Sequence, residues 1–151
     1  MKFDQLAAYL LAQSLCDASK FVFGMATAEV KPIWKKDANG LLVGNLQYTA
    51  AYSLGDVSSD NTQWLMVFLL SWLNENDDNR QTYSLGNPSL QISPTTADLV
   101  NIEVSVDFVD PVYLVTDPNG RVEIMGETWG FGVNDLWIAE TFQLVYGKPG
   151  A

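Results

Sequence analysis

The side chains that could do chemistry in this sequence are carboxylates, because histidine is absent and cysteine occurs once. Without histidine the chain lacks the base of Ser-His-Asp and Cys-His nucleophile systems and the commonest zinc ligand. The glycine-rich phosphate motifs G-x-G-x-x-G and G-x-x-x-x-G-K-[ST] are also missing. The single cysteine, Cys16, cannot form an intramolecular disulfide, and we expect a small core residue at a helix end, with a reactive thiol as the alternative.

The carboxylates cluster in two predicted loops. Asp56 and Asp60 lie in the first loop, and Glu75, Asp77 and Asp78 lie in the second. Oxygen-rich loops can bind calcium, but neither loop has the D-x-[DN]-x-[DN]-G spacing of a calcium loop. Two carboxyls roughly 5–10 Å apart in a cleft could hydrolyse a glycosidic bond. We expect solvated loops with no metal, no cofactor and no enzymatic activity; an oxygen-ligated metal and a carboxylate hydrolase are the alternatives.

The charge balance argues against a surface that grips nucleic acid. The formal net charge is −10, from 18 acidic and 8 basic residues, whereas phosphate binding requires clustered Lys and Arg. One basic cluster is present, at Lys31, Lys35 and Lys36. The excess negative charge serves solubility or lines a surface that DNA passes without sticking, and the sequence alone favours solubility.

Large aromatic residues at predicted strand ends and turns form the second group of candidates. Four of them lie where large rings are less easily buried: Trp34, Trp129, Phe131 and Trp137. Aromatic residues in such places anchor protein–protein contacts, and the alternative for each is a second small core under the loops. As a group they predict an assembly interface.

The length and composition predict a single soluble domain over residues 1–151, with a loose tail from about residue 147. The chain is 48% hydrophobic and 17% charged, which is typical of globular proteins. No apolar run approaches the ~20 residues that span a bilayer. Asp4 comes early and no cleavage pattern follows it, so we expect no secretory signal.

The most strongly patterned stretch runs from Leu42 to Asn76. Period-two alternation predicts a half-buried strand with one apolar face, formed by Leu42, Leu46, Tyr48, Ala50, Tyr52 and Leu54. After a polar loop at Gly55–Asn61, helical spacing predicts a core-facing stripe at Leu65, Phe68, Leu69, Trp72 and Leu73. Further apolar residues widen this surface beyond what packing on one sheet face requires: Trp64, Met66, Val67 and Leu70. The acidic segment Asn74–Asn79 ends the helix and is expected to be solvated.

The remaining segments predict one helix, at Met1–Leu15, and several strands. Asp37–Gly40 (DANG) and Asp117–Gly120 (DPNG) predict tight turns with glycine in the left-handed region. Asp77–Pro94 is irregular unless it contains a strand of its own. The predicted strands are Phe21–Trp34 closed by Pro32, Val100–Phe108, Val112–Val115 after a bulge or edge break at Pro111, Val122–Trp129, and Leu136–Tyr146. The fold class is α+β: a mainly antiparallel β-sheet with an N-terminal helix and a central helix packed on one face.

The order of these segments resembles a known family. Gln47–Tyr52 (QYTAAY) leads through an acidic loop into Trp64–Asn76 (WLMVFLLSWLNEN), and Ala97–Val104 (ADLVNIEV) leads into Val112–Val115 and the hairpin TDPNGRVEI. Over about residues 3–125 the chain resembles the P2-like bacteriophage tail completion protein R family, the tail terminators of contractile-tailed phages. The segment FVDP at Phe108–Pro111 looks expanded relative to that pattern, and residues after about 130 extend past it.

The resemblance implies a structural virion protein that forms a ring, six-fold, on the end of the tail tube. Such a ring stops tube growth and joins the tail to the head connector, with DNA passing through an acidic lumen without specific binding. The implied partners are further copies of the chain, the tube protein, the sheath and the neck proteins, at the tail neck of a virion assembled in the bacterial cytoplasm, with no membrane. The alternatives are another phage neck or tail-tube-end assembly protein and a soluble carbohydrate or small-molecule binding module.

Overall fold

A computed structural model describes residues 1–132. These residues form two α-helices and six strands: α1 (Lys2–Ala12), β1 (Phe21–Asp37), β2 (Gly40–Ser58), α2 (Thr62–Asn76), β3 (Ser89–Pro94), β4 (Leu99–Thr116), β5 (Val122–Ile124) and β6 (Glu127–Gly130). The sheet order is β1-β2-β4-β6-β5, and β3 pairs antiparallel with β4. The predicted α+β class is therefore confirmed. Within residues 1–132, no helix has the length and apolar character needed to cross a membrane.

The chain divides into two compact units, and three long strands contribute residues to both. Unit 1 comprises Met1, Glu29–Gln47 and the described residues from Val109 onward, and unit 2 comprises Lys2–Ala28 and Tyr48–Phe108. Unit 2 therefore holds both α-helices and β3, while unit 1 holds β5 and β6. Each unit has its own buried side chains.

Unit 2 is built on strict alternation in β2 and β4. The buried residues on β4 are Val100, Ile102, Val104, Val106 and Phe108, and those on β2 are Tyr48, Ala50, Tyr52 and Leu54. The Tyr52 hydroxyl donates to the Phe3 carbonyl of α1 at 2.8 Å. Trp72 of α2 packs edge-on against Phe108, with ring centroids 6.1 Å apart. Both helices thus cover the apolar sheet face, as the alternation predicted.

Unit 1 has a smaller core, and there the predicted strand face is wrong. Leu41, Leu114 and Trp129 are buried together, with Val43 and Ile124 packed against them. The sequence pattern placed Leu42 and Leu46 on the buried face, but Leu41 and Val43 are the residues of β2 that pack with Leu114 and Trp129. The apolar partners on β4 and β6 therefore determine which face is buried.

Two predicted loops contain strand. β3 lies within the segment predicted as irregular, and Leu90 and Ile92 pair with Val104 and Ile102 of β4; this confirms the alternative of an additional strand. β2 continues through the predicted loop to Ser58. The Asp56 N–H donates to Asn101 Oδ1 at 3.0 Å, and this bond holds the polar segment against β4 although Asp56 itself has φ of 52°.

Both prolines predicted to interrupt strands lie inside them. β1 continues past Pro32 to Asp37, and as the first strand in the sheet order it is an edge strand, where proline is tolerated. β4 continues through Pro111 to Thr116. The β3 pairing covers Val100–Ser105 of β4 and the β6 pairing covers Val115–Thr116, so Pro111 lies outside both. The predicted interruption at Pro111 is therefore wrong, since β4 runs through it, and its missing N–H is not needed by β3 or β6.

Both predicted turns lie at the predicted positions, but only one has its glycine at a positive φ. The β1–β2 hairpin turns at Ala38-Asn39, and Gly40 has φ of +123°, as predicted. Gly120 does not adopt a positive φ; a side chain there would collide with the Trp129 carbonyl, so close approach is what requires glycine. The predicted strand Val122–Trp129 is two strands, because Met125 and Gly126, with φ of 52° and 79°, form a tight turn between them. The predicted strand Leu136–Tyr146 lies outside the described residues.

Candidate assembly surfaces

The acidic segment after α2 contains a buried ion-paired carboxylate. Asp77 is 3% exposed, and its side chain accepts from Lys2 Nζ at 2.8 Å and from Arg80 Nη1 at 2.9 Å. The predicted solvated loop is therefore wrong at Asp77, because two cations neutralise it inside unit 2. Within residues 1–132 no group of three or more His, Cys, Asp or Glu side chains is arranged to hold a metal ion.

Arg80 links the segment after α2 to the sheet. Its guanidinium donates to the carbonyls of Asp107 at 2.6 Å and Gly86 at 2.7 Å. The same group lies over the Phe108 ring, 5.9 Å from the centroid. Asp77 and Arg80 thus fasten the start of α1, the end of α2 and β4 to one another, which is a structural task rather than a chemical one.

The environments of Asp56, Asp60 and Cys16 do not point to a reactive group. Asp56 and Asp60 are exposed, and Asp56 Oδ2 lies 3.4 Å from Lys20 Nζ. Partial burial, followed by the nearby charge of Asp17, raises the pKa of the Cys16 thiol. A thiol with a raised pKa stays protonated at neutral pH and is a weak nucleophile. This supports a packing role for Cys16.

The four aromatic candidates lie in different environments. Trp34 and Phe131 are 55% and 60% exposed, so both rings can contact another molecule. Trp129 is 4% exposed, and its Nε1 donates to the Ile124 carbonyl at 3.1 Å. Its ring therefore belongs to the second small core that was the alternative for this group. Trp137 lies outside the described residues, so the four are not brought together as one described surface.

One apolar surface of α2 is not covered by any element within residues 1–132. Four side chains are 47–55% exposed, and we call them the outer face of α2: Trp64, Met66, Val67 and Leu70. Trp64 stacks on Phe68 with ring centroids 5.6 Å apart, so its ring is held in place. The exposed charged residues that flank this face in the sequence are carboxylates, from Asp60, Glu75 and Asp78, and no Lys or Arg occurs between Asp37 and Asn79.

A second exposed surface lies on the edge strand of unit 1. We call Val30–Lys36 the β1 arm; its apolar members Val30, Ile33 and Trp34 are 70%, 40% and 55% exposed. The basic cluster Lys31, Lys35 and Lys36 interleaves with them. The sequence signal for a joint surface is the mixture of apolar and basic residues within the seven positions VKPIWKK, which contain both Trp34 and the lysines.

Three features define the conformation of the β1 arm. A side chain at Gly44 would lie 2.5 Å from the Lys31 carbonyl oxygen, so glycine lets β2 approach the arm closely. Trp34 has φ of 59°, an uncommon value for a bulky residue. Lys36 Nζ lies 5.5 Å from the Trp129 ring centroid and 3.9 Å from Glu127 Oε2. The arm is therefore tied to the core of unit 1 at its Lys36 end.

The face of unit 2 opposite the helices is polar and acidic. We call it the open sheet face; it includes Thr49, Ser53, Glu103 and Asp107. Thr49 donates to Asp107 Oδ1 at 2.6 Å and Ser53 donates to Glu103 Oε1 at 2.8 Å. No Lys or Arg occurs in β2, β3 or β4, so the ladder of hydroxyls and carboxylates carries only negative charge.

Comparison with known proteins gives one family. The family model described as P2 phage tail completion protein R (GpR) matches residues 1–130. No curated protein and no solved structure gave a match. The matched range contains both α-helices, all six described strands, the outer face of α2 and the β1 arm. The chain therefore belongs to the P2 phage tail completion protein R (GpR) family.

Proposed function

We propose that this protein terminates a contractile phage tail. Its family makes it a phage tail completion protein, a structural component of the virion. In our proposal, six copies form a ring that caps the tail tube, stops its growth and joins the tail to the head connector. The ring lies at the tail neck, where it also meets the sheath, after assembly in the host cytoplasm.

The observation that carries this proposal is the exposed outer face of α2. A helix that is apolar on all sides is normally buried, because water-exposed apolar surface lowers stability and promotes association. The inner side of α2 is already covered by unit 2, whereas Met66, Val67 and Leu70 each remain 47% exposed. A capping protein requires such surfaces, since it must bind further protein subunits.

The open sheet face supports the passage of DNA through the ring. Its carboxylates and hydroxyls offer no cation to a phosphate, and the chain carries a net charge of −10. A surface of this kind repels the DNA backbone and cannot hold it by counterion release. A lumen lined by the open sheet face would therefore let DNA slide past.

Tube-length control tests the proposal directly. The tube subunit from the same phage is polymerised with and without this protein, and tube lengths and ends are read by negative-stain electron microscopy. We expect shorter tubes with a cap at one end. Unchanged lengths with bare ends would overturn the terminator function. Binding to the tubes without any change in their length would favour another neck or tail-tube-end assembly protein.

A matched pair of variants links the result to the outer face of α2. Val67→Lys combined with Leu70→Lys places two charges on that face, and we expect capping to be lost. Ser89→Lys combined with Gln91→Lys adds the same charge to exposed positions of β3, and we expect capping to be retained. Equal capping by both variants would show that the outer face of α2 is not needed.

A further inference from the structure

We propose that the β1 arm of one copy docks on the outer face of α2 of the next copy, and that this contact builds the ring. The inference rests on the proposed function for the ring itself and adds the pair of surfaces that make it. The partner is a second copy of this chain. Three observations lead to it: matching apolar surfaces, opposite charges, and the like charges that the two symmetric contacts would bring together.

The two surfaces match in apolar character. On the arm, Val30 and Trp34 are 70% and 55% exposed, and on α2, Val67 and Leu70 are 47% exposed. Each surface alone leaves large hydrophobic side chains in water. Burying apolar area stabilises an interface, and association has its own costs that this gain must exceed. Contact between the two surfaces would therefore remove exposed apolar area of both from water.

The two surfaces are opposite in charge. Three of the chain's 8 basic residues lie on the arm, at Lys31, Lys35 and Lys36. Elsewhere Lys2 and Arg80 are bound to Asp77, and Lys20 lies near Asp56. Because the whole chain is strongly acidic, copies repel one another unless a contact places local positive charge on carboxylates. The arm is the part of the described chain that carries clustered positive charge.

The charges also decide between a symmetric and an asymmetric contact. Two α2 outer faces in contact would bring together surfaces whose flanking charges, Asp60, Glu75 and Asp78, are all negative, and two arms in contact would bring together two sets of three lysines. Both arrangements oppose like charges, which is unfavourable. An arm against a helix pairs opposite charges instead. A contact between two different surfaces of one chain is heterologous, and when its rotation closes it makes a ring.

A charge exchange tests the contact. The arm variant carries Lys31→Glu and Lys35→Glu and keeps Lys36, which lies over Trp129. The helix variant carries Glu75→Lys and Asp78→Lys, at two exposed positions. We expect the native chain to form multimers in light scattering, and each variant alone to be monomeric. All four changes in one chain should restore the multimer, because the charges are then exchanged across the contact.

The control separates the contact from the net charge. The arm variant is combined with Glu103→Lys and Glu123→Lys, two exposed positions outside both surfaces; this chain has the native net charge, and we expect it to stay monomeric. Thermal unfolding midpoints identify any variant that fails to fold. A monomeric native chain, an arm variant that assembles, or a fourfold variant that stays monomeric while folded would each overturn the inference.

The tube-length assay distinguishes this inference from the proposed function. If the single-surface variants are monomeric and the fourfold variant assembles, but tubes keep their length, the contact stands and the terminator function fails. If tubes are capped by the native chain, the arm variant and the helix variant alike, the function stands and the contact fails.

Discussion

The two faces of α2 have the same kind of side chains and opposite surroundings. The inner face is buried and consists of Leu65, Leu69, Trp72 and Leu73, whereas the outer face is about half exposed and consists of Trp64, Met66, Val67 and Leu70. The inner face meets Phe108 of the sheet. In the described chain nothing covers the outer face, so apolar composition alone does not identify the core of this protein.

The difference separates folding from assembly on one helix. Burial of the inner face contributes to the free energy of unfolding of the single chain, because those side chains leave water when the chain folds. The outer face gains only when another molecule covers it. Substitutions on the inner face should therefore change the free energy of unfolding, and substitutions on the outer face should change assembly.

Trp72→Ala should have the largest effect on stability. It removes a buried ring that packs edge-on against Phe108, and truncations of this kind cost about 3–5 kcal/mol. The matched control is Trp64→Ala on the outer face, which loses a stacked contact with Phe68 and should cost about 1 kcal/mol. Urea unfolding followed by circular dichroism gives both values. Equal losses would mean that the two faces are not distinct.

Asp77→Asn should have the next largest effect. The change leaves Lys2 and Arg80 without the carboxylate that both contact, and breaking a buried pair costs about 3 kcal/mol or more. Asp78→Asn is the control, since Asp78 is exposed and surface changes stay within about 0.5 kcal/mol. Thermal unfolding measures the two. An unchanged midpoint for Asp77→Asn would show that α1 and α2 do not depend on this ion pair.

The features that could be predicted from sequence depend on local periodicity. The alternation from Val100 to Phe108 gave the buried face of β4, and the helical spacing of Leu65, Leu69, Trp72 and Leu73 gave the inner face of α2. The DANG turn gave the β1–β2 hairpin, because an Asn-Gly pair favours positive φ. In each case the physical cause lies within a few residues of its effect.

The features that could not be predicted depend on distant partners. Asp77 is buried because Lys2, which is 75 residues away in sequence, neutralises it. β2 continues through a polar segment because Asn101 of β4 accepts from its backbone. The face of β2 that is buried near Leu41 is determined by its contacts with Leu114 and Trp129. The sequence contains these residues, but only the fold brings them close together.

The candidate surfaces were only partly visible for the same reason. The excess apolar width of α2 was evident and helical spacing separated its two faces, but no local pattern shows what covers the outer face. Trp34 and Phe131 are exposed as an interface residue must be, whereas Trp129 is buried by Leu41 and Leu114. That distinction requires the pairing of β6 with β4, which no local pattern encodes.

Leu70→Gln should barely change stability and should still weaken assembly. Leu70 is 47% exposed, so the free energy of unfolding should move by no more than about 0.5 kcal/mol. Leu69→Gln is the control on the inner face, and burying its amide there should cost several times as much. Light scattering of Leu70→Gln should show fewer multimers than the native chain at equal concentration. Native assembly by Leu70→Gln would remove the outer face from the interface.

The smallest effect concerns Asp37, at the end of the hairpin that carries the β1 arm. Hydrogen bonds from the Tyr113 hydroxyl, first, and from the Asn39 N–H, both at 2.7 Å, lower the pKa of Asp37 below its ordinary value of 3.8. A lowered folded-state pKa means that the stabilisation is complete above that ordinary value and is lost as the pH falls through the folded-state pKa.

Tyr113→Phe removes the larger cause, so the pKa of Asp37 should rise toward its ordinary value, as read from the carboxyl carbon shift in an NMR titration. Asp17 is the internal control, since the Ser19 N–H and hydroxyl lower its pKa independently of Tyr113. If the pKa of Asp37 is the same in Tyr113→Phe as in the native chain, the Tyr113 hydroxyl does not bind this carboxylate in solution. The expected shift would show that a hydrogen bond from β4 helps to hold the arm's hairpin, whereas the inner face of α2 depends on burial.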